Sequence, residues 1–352
     1  MAGDVRGTDA ASAQAPVAAG RGLAGAAPGD SAPGDSAPGD SAPGDSTPEN
    51  RAPGNSTPEN PGDSTPWNRA PGTAEEVTLA TVAKASAENF PVALRVLPAR
   101  YRRHLMALYG FARLTDDIGD EVRPDARLRL LDELEVEVAR IYDDRSGGPR
   151  LPALRELAIT VAECGIPARP LLDLIKANRQ DQLVTRYETF EDLAGYCRLS
   201  ANPVGLAVLH IFGAVSAERE RLSDNICTAL QLAEHWQDVA EDFGNGRIYL
   251  PRQDMQRFGC TEQDLAEPVT GPRVRALIAY EAARASALLD EGAPLIGTLR
   301  GAARLAVAGY VAGGRAALSA IARCGNDVLS VTPRPDKREV AWNMIRAYLR
   351  GR

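Results

Sequence analysis

QLAEHWQDVAEDFGNGRIYLP, residues 231–251, reads as a helix that runs into a Gly-broken turn. Asp238 and Asp242 stand four apart, so on one helix they share a face, about 6 Å apart along the axis. Glu234 lies one turn earlier on the same stripe. Like charges at this spacing destabilise a helix. A solvated acidic face could bear that cost. Here Leu230, Leu232, Trp236, Val239 and Phe243 flank the stripe, which predicts partial burial, and inward-facing carboxylates need a cation.

A second stretch has the same form. FARLTDDIGDE, residues 111–121, sets Asp116 four residues from Asp120 and Asp117 four from Glu121, with Leu108, Tyr109, Phe111 and Leu114 around them. Two carboxylate ladders in one helical chain can face each other across a cavity. Oxygen-only ligands of high negative charge suit hard divalent cations. Among these, Mg²⁺ keeps waters and shares its shell with substrate phosphates. One DxxxD alone reads as an exposed acidic turn. Two of them, each in apolar surroundings and the second followed by Arg247 and Tyr249, favour a metal-diphosphate site.

The rest of the composition sets limits. Residues 1 to 74 are rich in Ala, Gly, Pro, Ser and Asp, with PGDSA recurring at Pro28, Pro33 and Pro38. Such a segment cannot bury a core and is expected to be a disordered tail. Residues 75–352 are expected to form one all-α domain. The net charge of -7 argues against nucleic acid as a partner. It also fits metal ions placed between an acidic protein and a diphosphate. Five widely spaced cysteines without a CxxC predict reduced thiols, hence a cytoplasmic setting. His104, His210 and His235 have no ligand spacing, and His210 is expected in a helix core. No signal peptide is predicted. No run approaches 18 apolar residues, the longest lying around Leu305 to Val311, so no membrane span is expected.

Helical periodicity runs over 75–89, 99–118, 124–144, 151–163, 170–187, 190–199, 206–215, 218–243, 274–289, 301–324 and 339–349. Pro124 is a good first-turn residue. SANPVG, residues 200–205, interrupts two of these helices. It reads equally as a plain turn or as a kink of small residues that leaves room for a substrate. No G-x-G-x-x-G follows a strand, so no NAD(P)H site is predicted.

Four stretches in order resemble the squalene/phytoene synthase family: ENFPVALRVLP (88–98), YGFARLTDDIGDE (109–121), RYETFEDLAGYCRLSANPVG (186–205) and the opening 231–251. The likeness spans roughly residues 80 to 345. ENFPV, ANPVG and WQDV look most like the hopanoid-pathway branch, which includes hydroxysqualene synthases. The resemblance implies a single isoprenoid-synthase (terpenoid synthase) helical domain with a central apolar cavity. It implies Mg²⁺, three ions in number, on Asp116, Asp120, Asp238 and Asp242, with Asp117 and Glu121 beside the first ladder. Arg113 and Arg247 match diphosphate-facing positions. Tyr109, Tyr196 and Tyr249 match tyrosines near the reacting end. Gln231, Asn89, Phe90, Ala201 and Gly205 match positions on the substrate. Three residues depart from the pattern: Ser86 replaces a His, Glu234 an Asn, and Gln237 the Arg of phytoene synthases.

The implied reaction turns presqualene diphosphate and water into hydroxysqualene and diphosphate. The implied partners are the prenyl diphosphate, pathway neighbours in hopanoid or squalene synthesis, and a membrane touched peripherally by a lipophilic substrate and product. Head-to-head condensation of two prenyl diphosphates stays open on the same ladders. So does a non-catalytic assembly factor, which intact ladders disfavour.

Overall fold

The computed structural model describes residues 97–351. The N-terminal tail, the helix expected over 75–89, and Ser86, Asn89 and Phe90 lie outside the described residues. Four helices come first: α1 (Ala99–Asp120), α2 (Pro124–Ile141), α3 (Arg155–Cys164) and α4 (Ala168–Asp181). The middle of the chain holds α5 (Phe190–Ser200), α6 (Asn202–Ile211), α7 (Ala217–Gln237) and α8 (Val239–Gly244). Short α9 (Arg252–Arg257) and α10 (Glu262–Leu265) lead to α11 (Pro272–Gly292) and α12 (Leu295–Thr298), then α13 (Gly301–Arg323) and α14 (Lys337–Arg350). Extended pairing among the described residues is a single parallel bridge between Arg186 and Ile248.

Local signals set the boundaries. Pro124 sits in the first turn of α2, with Asp125 beside it favouring the N-terminal dipole. Thr189 and Asp192 form a reciprocal capping box that starts α5. Gly165, at φ 64°, ends α3 in the left-handed region that glycine tolerates.

The helices bury two apolar clusters. Leu108, Phe111, Leu114, Leu130, Leu134 and Ile175 belong to the first, built by α1 to α4 with α6. Trp236, Leu232, Leu277, Ile278, Leu289 and Ile321 belong to the second, around α7, α11 and α13. Each fully buried Leu or Ile is worth about 1.5–3 kcal/mol. α7 is the axis of the second cluster, packed by α6, α11 and α13. Two glycines permit this. A Cβ on Gly205 of α6 would stand 2.4 Å from Ser223 Oγ and 2.6 Å from Cys227 Sγ. One on Gly292 of α11 would stand 2.7 Å from the Leu222 carbonyl oxygen.

α11 also buries charge. Arg284 Nη1 lies 3.0 Å from Asp254 and 3.1 Å from Glu281, and the guanidinium stacks on Phe190 at 4.2 Å. Two acids thus share one cation. Burial pushes the Glu281 carboxyl up to about 8, with Asp254 adding to the rise and Arg284 opposing it.

Several expectations need correction. α4 stops at Asp181 rather than running to Tyr187, because the backbone at Thr185 turns to accept Ile248 N–H at 3.0 Å. α6 begins at Asn202, not Leu206. Pro203 lies in its first turn, where the missing N–H leaves no gap in the ladder. The helix expected over 218–243 breaks at Asp238, which caps both α7 and α8. His210 is only half-buried. α9, α10 and α12 had no clear periodic signal. α13 is, by length and composition, apolar enough to cross a membrane, although no such span was expected; two-thirds of that stretch is buried against its neighbours. All five cysteines are free.

Candidate active site

The first ladder occupies the last turn of α1. Asp116 accepts a hydrogen bond from Asn178 Nδ2 of α4 at 3.1 Å. Gly119 makes that approach possible, since a Cβ there would fall 2.3 Å from Asn178 Oδ1. The free carbonyls at the end of α1 are satisfied from other helices: Arg127 donates to Asp120 O at 2.8 Å and Gln182 to Gly119 O at 3.1 Å. This fixes the ladder against α2 and α4. Burial holds the Asp116 carboxyl well above the usual carboxylate range; Asp120 and Asp181 push the same way, while Asn178 and Arg113 oppose them. A carboxylate crowded and desolvated like this is relieved by a cation.

Asp117 and Glu121 serve a different face. Arg113, itself buried, lies 2.9 Å from Asp117 and 3.5 Å from Glu121. Two of the residues expected at the metal are thus engaged by a cation expected at the diphosphate.

The second ladder straddles the helix break. Asp238 adopts φ -106°, ψ 17°, and hands the chain from α7 to α8. Asp242 is buried, with a carboxylate oxygen 3.9 Å from His235 Nδ1. The His235 ring stacks on Tyr249, with centroids 3.7 Å apart and planes 15° apart, and its Nε2 lies 3.3 Å from the Gln231 amide. The turn after α8 then reaches back to the first ladder, where Arg247 Nη1 meets Asp120 Oδ1 at 2.7 Å.

Asp181, the last residue of α4, ties the aromatic side together. It accepts the Tyr196 hydroxyl at 2.6 Å and the Tyr249 hydroxyl at 3.4 Å. Tyr187 stacks on Tyr249 at 5.8 Å, a contact set by the bridge between Arg186 and Ile248. Burial first, then the Asp181 charge, raises the Tyr196 phenol, so it keeps its proton and donates it. His235, Asp242, Arg247 and Tyr249 line a cavity of about 10 Å³, together with Val239 and Ile248. That is room for roughly one water.

Of the expected site residues, Asp116, Asp120, Arg247, Tyr196, Tyr249, Gln231 and Asp242 are joined by contacts or by this cavity. Tyr109 packs on the first apolar cluster, outside the tyrosine stack. Ala201 is fully buried between α5 and α6, and Gly205 faces α7, where Ser223 and Cys227 fill the space. Asn178, Asp181, Tyr187 and His235 went unpredicted. Their signal is faint: Asn178 and Asp181 sit in the polar run ANRQDQ, and His235 has no second histidine at ligand spacing.

Among the described residues no three His, Cys, Asp or Glu side chains gather tightly enough to hold a metal alone. The donor chemistry nevertheless fits Mg²⁺. All donors are carboxylate oxygens, presented in pairs, and Mg²⁺ takes one or two carboxylates and completes its shell with water and phosphate.

Comparison with known proteins agrees with this architecture. The family model for squalene/phytoene synthases matches residues 83–346. A hydroxysqualene synthase of Rhodopseudomonas palustris is 35% identical over 216 residues, 60% of this chain and 72% of that protein. A phytoene synthase of Mycobacterium tuberculosis is 34% identical over 61% of this chain and 71% of its own. The crystal structure of squalene synthase HpnC from Alicyclobacillus acidocaldarius superposes with a TM-score of 0.65 at 40% identity, covering 74% of this chain and 99% of that one. The family model spans three-quarters of the sequence and the solved structure shares the all-helical frame: the chain belongs to the squalene/phytoene synthase family.

Proposed function

We propose that this chain converts presqualene diphosphate and water into hydroxysqualene and diphosphate. The observation that carries this reading is the one-water cavity between the second ladder and the ring stack. It borders Arg247 and Asp242 on the polar side and the stacked Tyr249 and His235 on the other.

Asp116, Asp120, Asp238 and Asp242 would hold Mg²⁺, which when bound supplies Lewis-acid assistance to the diphosphate leaving group. The chain's own groups do the rest. Arg247 offsets charge on the departing diphosphate. The carbon–oxygen bond breaks with its electron pair leaving on the diphosphate, and a carbocation remains. Tyr196 and Tyr187 steer it by cation–π contact, worth roughly 0.5–2 kcal/mol each, with Tyr249 held in the stack between His235 and Tyr187. Asp181 orients two of those rings through their hydroxyls. Water adds its oxygen to the cation and gives up one proton to the released diphosphate, with no reductant consumed. The hydroxysqualene synthase relative supports this choice.

Condensation of two prenyl diphosphates is the second reading, favoured by the phytoene synthase relative. Incubation with presqualene diphosphate and Mg²⁺, without NADPH, in ¹⁸O-labelled water separates the two. Labelled hydroxysqualene is expected. Consumption of farnesyl diphosphate with presqualene diphosphate left untouched would establish the condensation instead. Squalene formed only when NADPH is added would exclude the water quench.

A further inference from the structure

Helix α14 is apolar on two faces. One face, through Met344, Ala347 and Tyr348, packs on the second cluster against α13. Arg304 reinforces this by donating to the Tyr348 carbonyl at 3.0 Å. The opposite face carries Trp342, Ile345 and Leu349, which are 57%, 49% and 73% exposed. Their spacing of three and four residues places them on one stripe. Single exposed apolar residues need no explanation, but three large ones aligned on one helix do.

The same face is cationic. α14 contains Lys337, Arg338, Arg346 and Arg350 against one acid, Glu339. That acid is turned to Arg323 at 2.7 Å and is largely covered. By helical spacing Arg338 falls on the stripe, Arg346 lies beside it, and Arg350 lies on the flank of the helix. A chain of net charge -7 therefore ends in a helix of net positive charge with an exposed apolar centre. A second copy of the chain would set these cations against identical cations, which opposes self-pairing. An anionic bilayer satisfies both features: headgroups take the arginines, and the apolar stripe sinks to the acyl boundary. Tryptophan is a side chain suited to that depth.

The position of the helix adds a reason. Gln237, next to Asp238, donates to the Pro333 carbonyl. Lys337 lies four positions after Pro333, so α14 starts within about 14 Å of that contact. The exposed stripe thus belongs to the helix tethered at the ladder end of α7.

We propose that α14 is a membrane-docking helix that seats the protein on anionic phospholipid, with Trp342, Ile345 and Leu349 in the interface and Arg338, Arg346 and Arg350 on the headgroups. The proposal stands whichever product the active site forms.

The test uses the full chain and vesicles. Cosedimentation is measured on phosphatidylglycerol–phosphatidylcholine vesicles and on phosphatidylcholine alone, at low salt and at high salt. Binding to the anionic vesicles, weakened by salt, is expected. The triple variant Trp342→Ser, Ile345→Ser, Leu349→Ser should bind at least roughly ten-fold more weakly. Arg338→Glu with Arg346→Glu should lose anionic preference by about five-fold per cation removed, the apolar stripe being kept. Circular dichroism and turnover in lipid-free buffer should stay native in both. The proposal is overturned if the wild type ignores anionic vesicles, or if both variants bind as the wild type does. A wild-type dimer in lipid-free sedimentation that the triple variant dissolves, with no vesicle binding, would assign the face to self-association instead.

Discussion

The two acid ladders share a sequence pattern and differ in everything around it. The first lies on an unbroken helix, and each of its members meets a partner from another turn or helix: Asn178 at Asp116, Arg247 at Asp120, Arg113 at Asp117 and Glu121. The second spans a break, and its surroundings are rings: His235 on Tyr249, with Tyr196 and Tyr187 behind. One spacing therefore yields two environments. The first ladder is braced by hydrogen bonds and cations. The second borders the stack and the one-water cavity. The first is built to hold charge, the second to place charge beside an aromatic wall.

If both ladders load the same metals, Asp116→Asn and Asp238→Asn should each abolish turnover, a loss of roughly a thousand-fold or more, with native circular dichroism. EDTA should do the same and added Mg²⁺ should reverse it. Full turnover of either variant would break the symmetry. Stability should separate the ladders next. Arg113→Met strands the buried Asp117 and should cost about 3–5 kcal/mol in urea unfolding. Arg247→Met leaves the more exposed Asp120 and should cost clearly less. Equal losses would mean that both arginines are structural to the same degree.

Smaller effects probe the helices that carry the ladders. Gly205→Ala forces α6 off α7 and should destabilise by about 1–3 kcal/mol. On α1 the mirror experiment has the opposite sign. A Cβ at Gly110 meets open space, so Gly110→Ala should stabilise by roughly 0.5–1 kcal/mol. Thermal melting reads both, and a stable Gly205→Ala protein would show that α7 has room to move.

The helical frame was legible because its punctuation is local. Pro124, Gly165 and the Thr189–Asp192 box act within a turn of themselves. The ladders were legible too, since four-residue spacing survives a small break. The break at Asp238 was not, because AEHWQDVAED keeps helical periodicity through it. Nor was the end of α4. The residues after Asp181 carry a helical pattern, but Ile248, distant in sequence, draws the backbone away. Asn178 and Asp181 were missed for the same reason. A polar helix end looks solvated until Asp116, Tyr196 and Tyr249 arrive from elsewhere in the chain. In the SANPVG stretch the sequence left a turn and a substrate gap level. The contacts at Ser223 and Cys227 favour close helix packing on the α7 side.

The buried pair Asp254 and Glu281, sharing Arg284, makes folding itself a proton-uptake reaction. In the unfolded chain Glu281 loses its proton near the ordinary 4.5; in the folded chain it keeps it to about 8. Between those values the native state holds a proton that the unfolded state lacks. The contribution of this group is therefore complete below pH 4.5, declines as pH rises, and is gone above about 8. At neutral pH, unfolding should release close to one proton per molecule from this residue into the buffer. The calorimetric unfolding heat should then shift with the ionisation heat of the buffer, and Glu281→Gln should flatten that dependence.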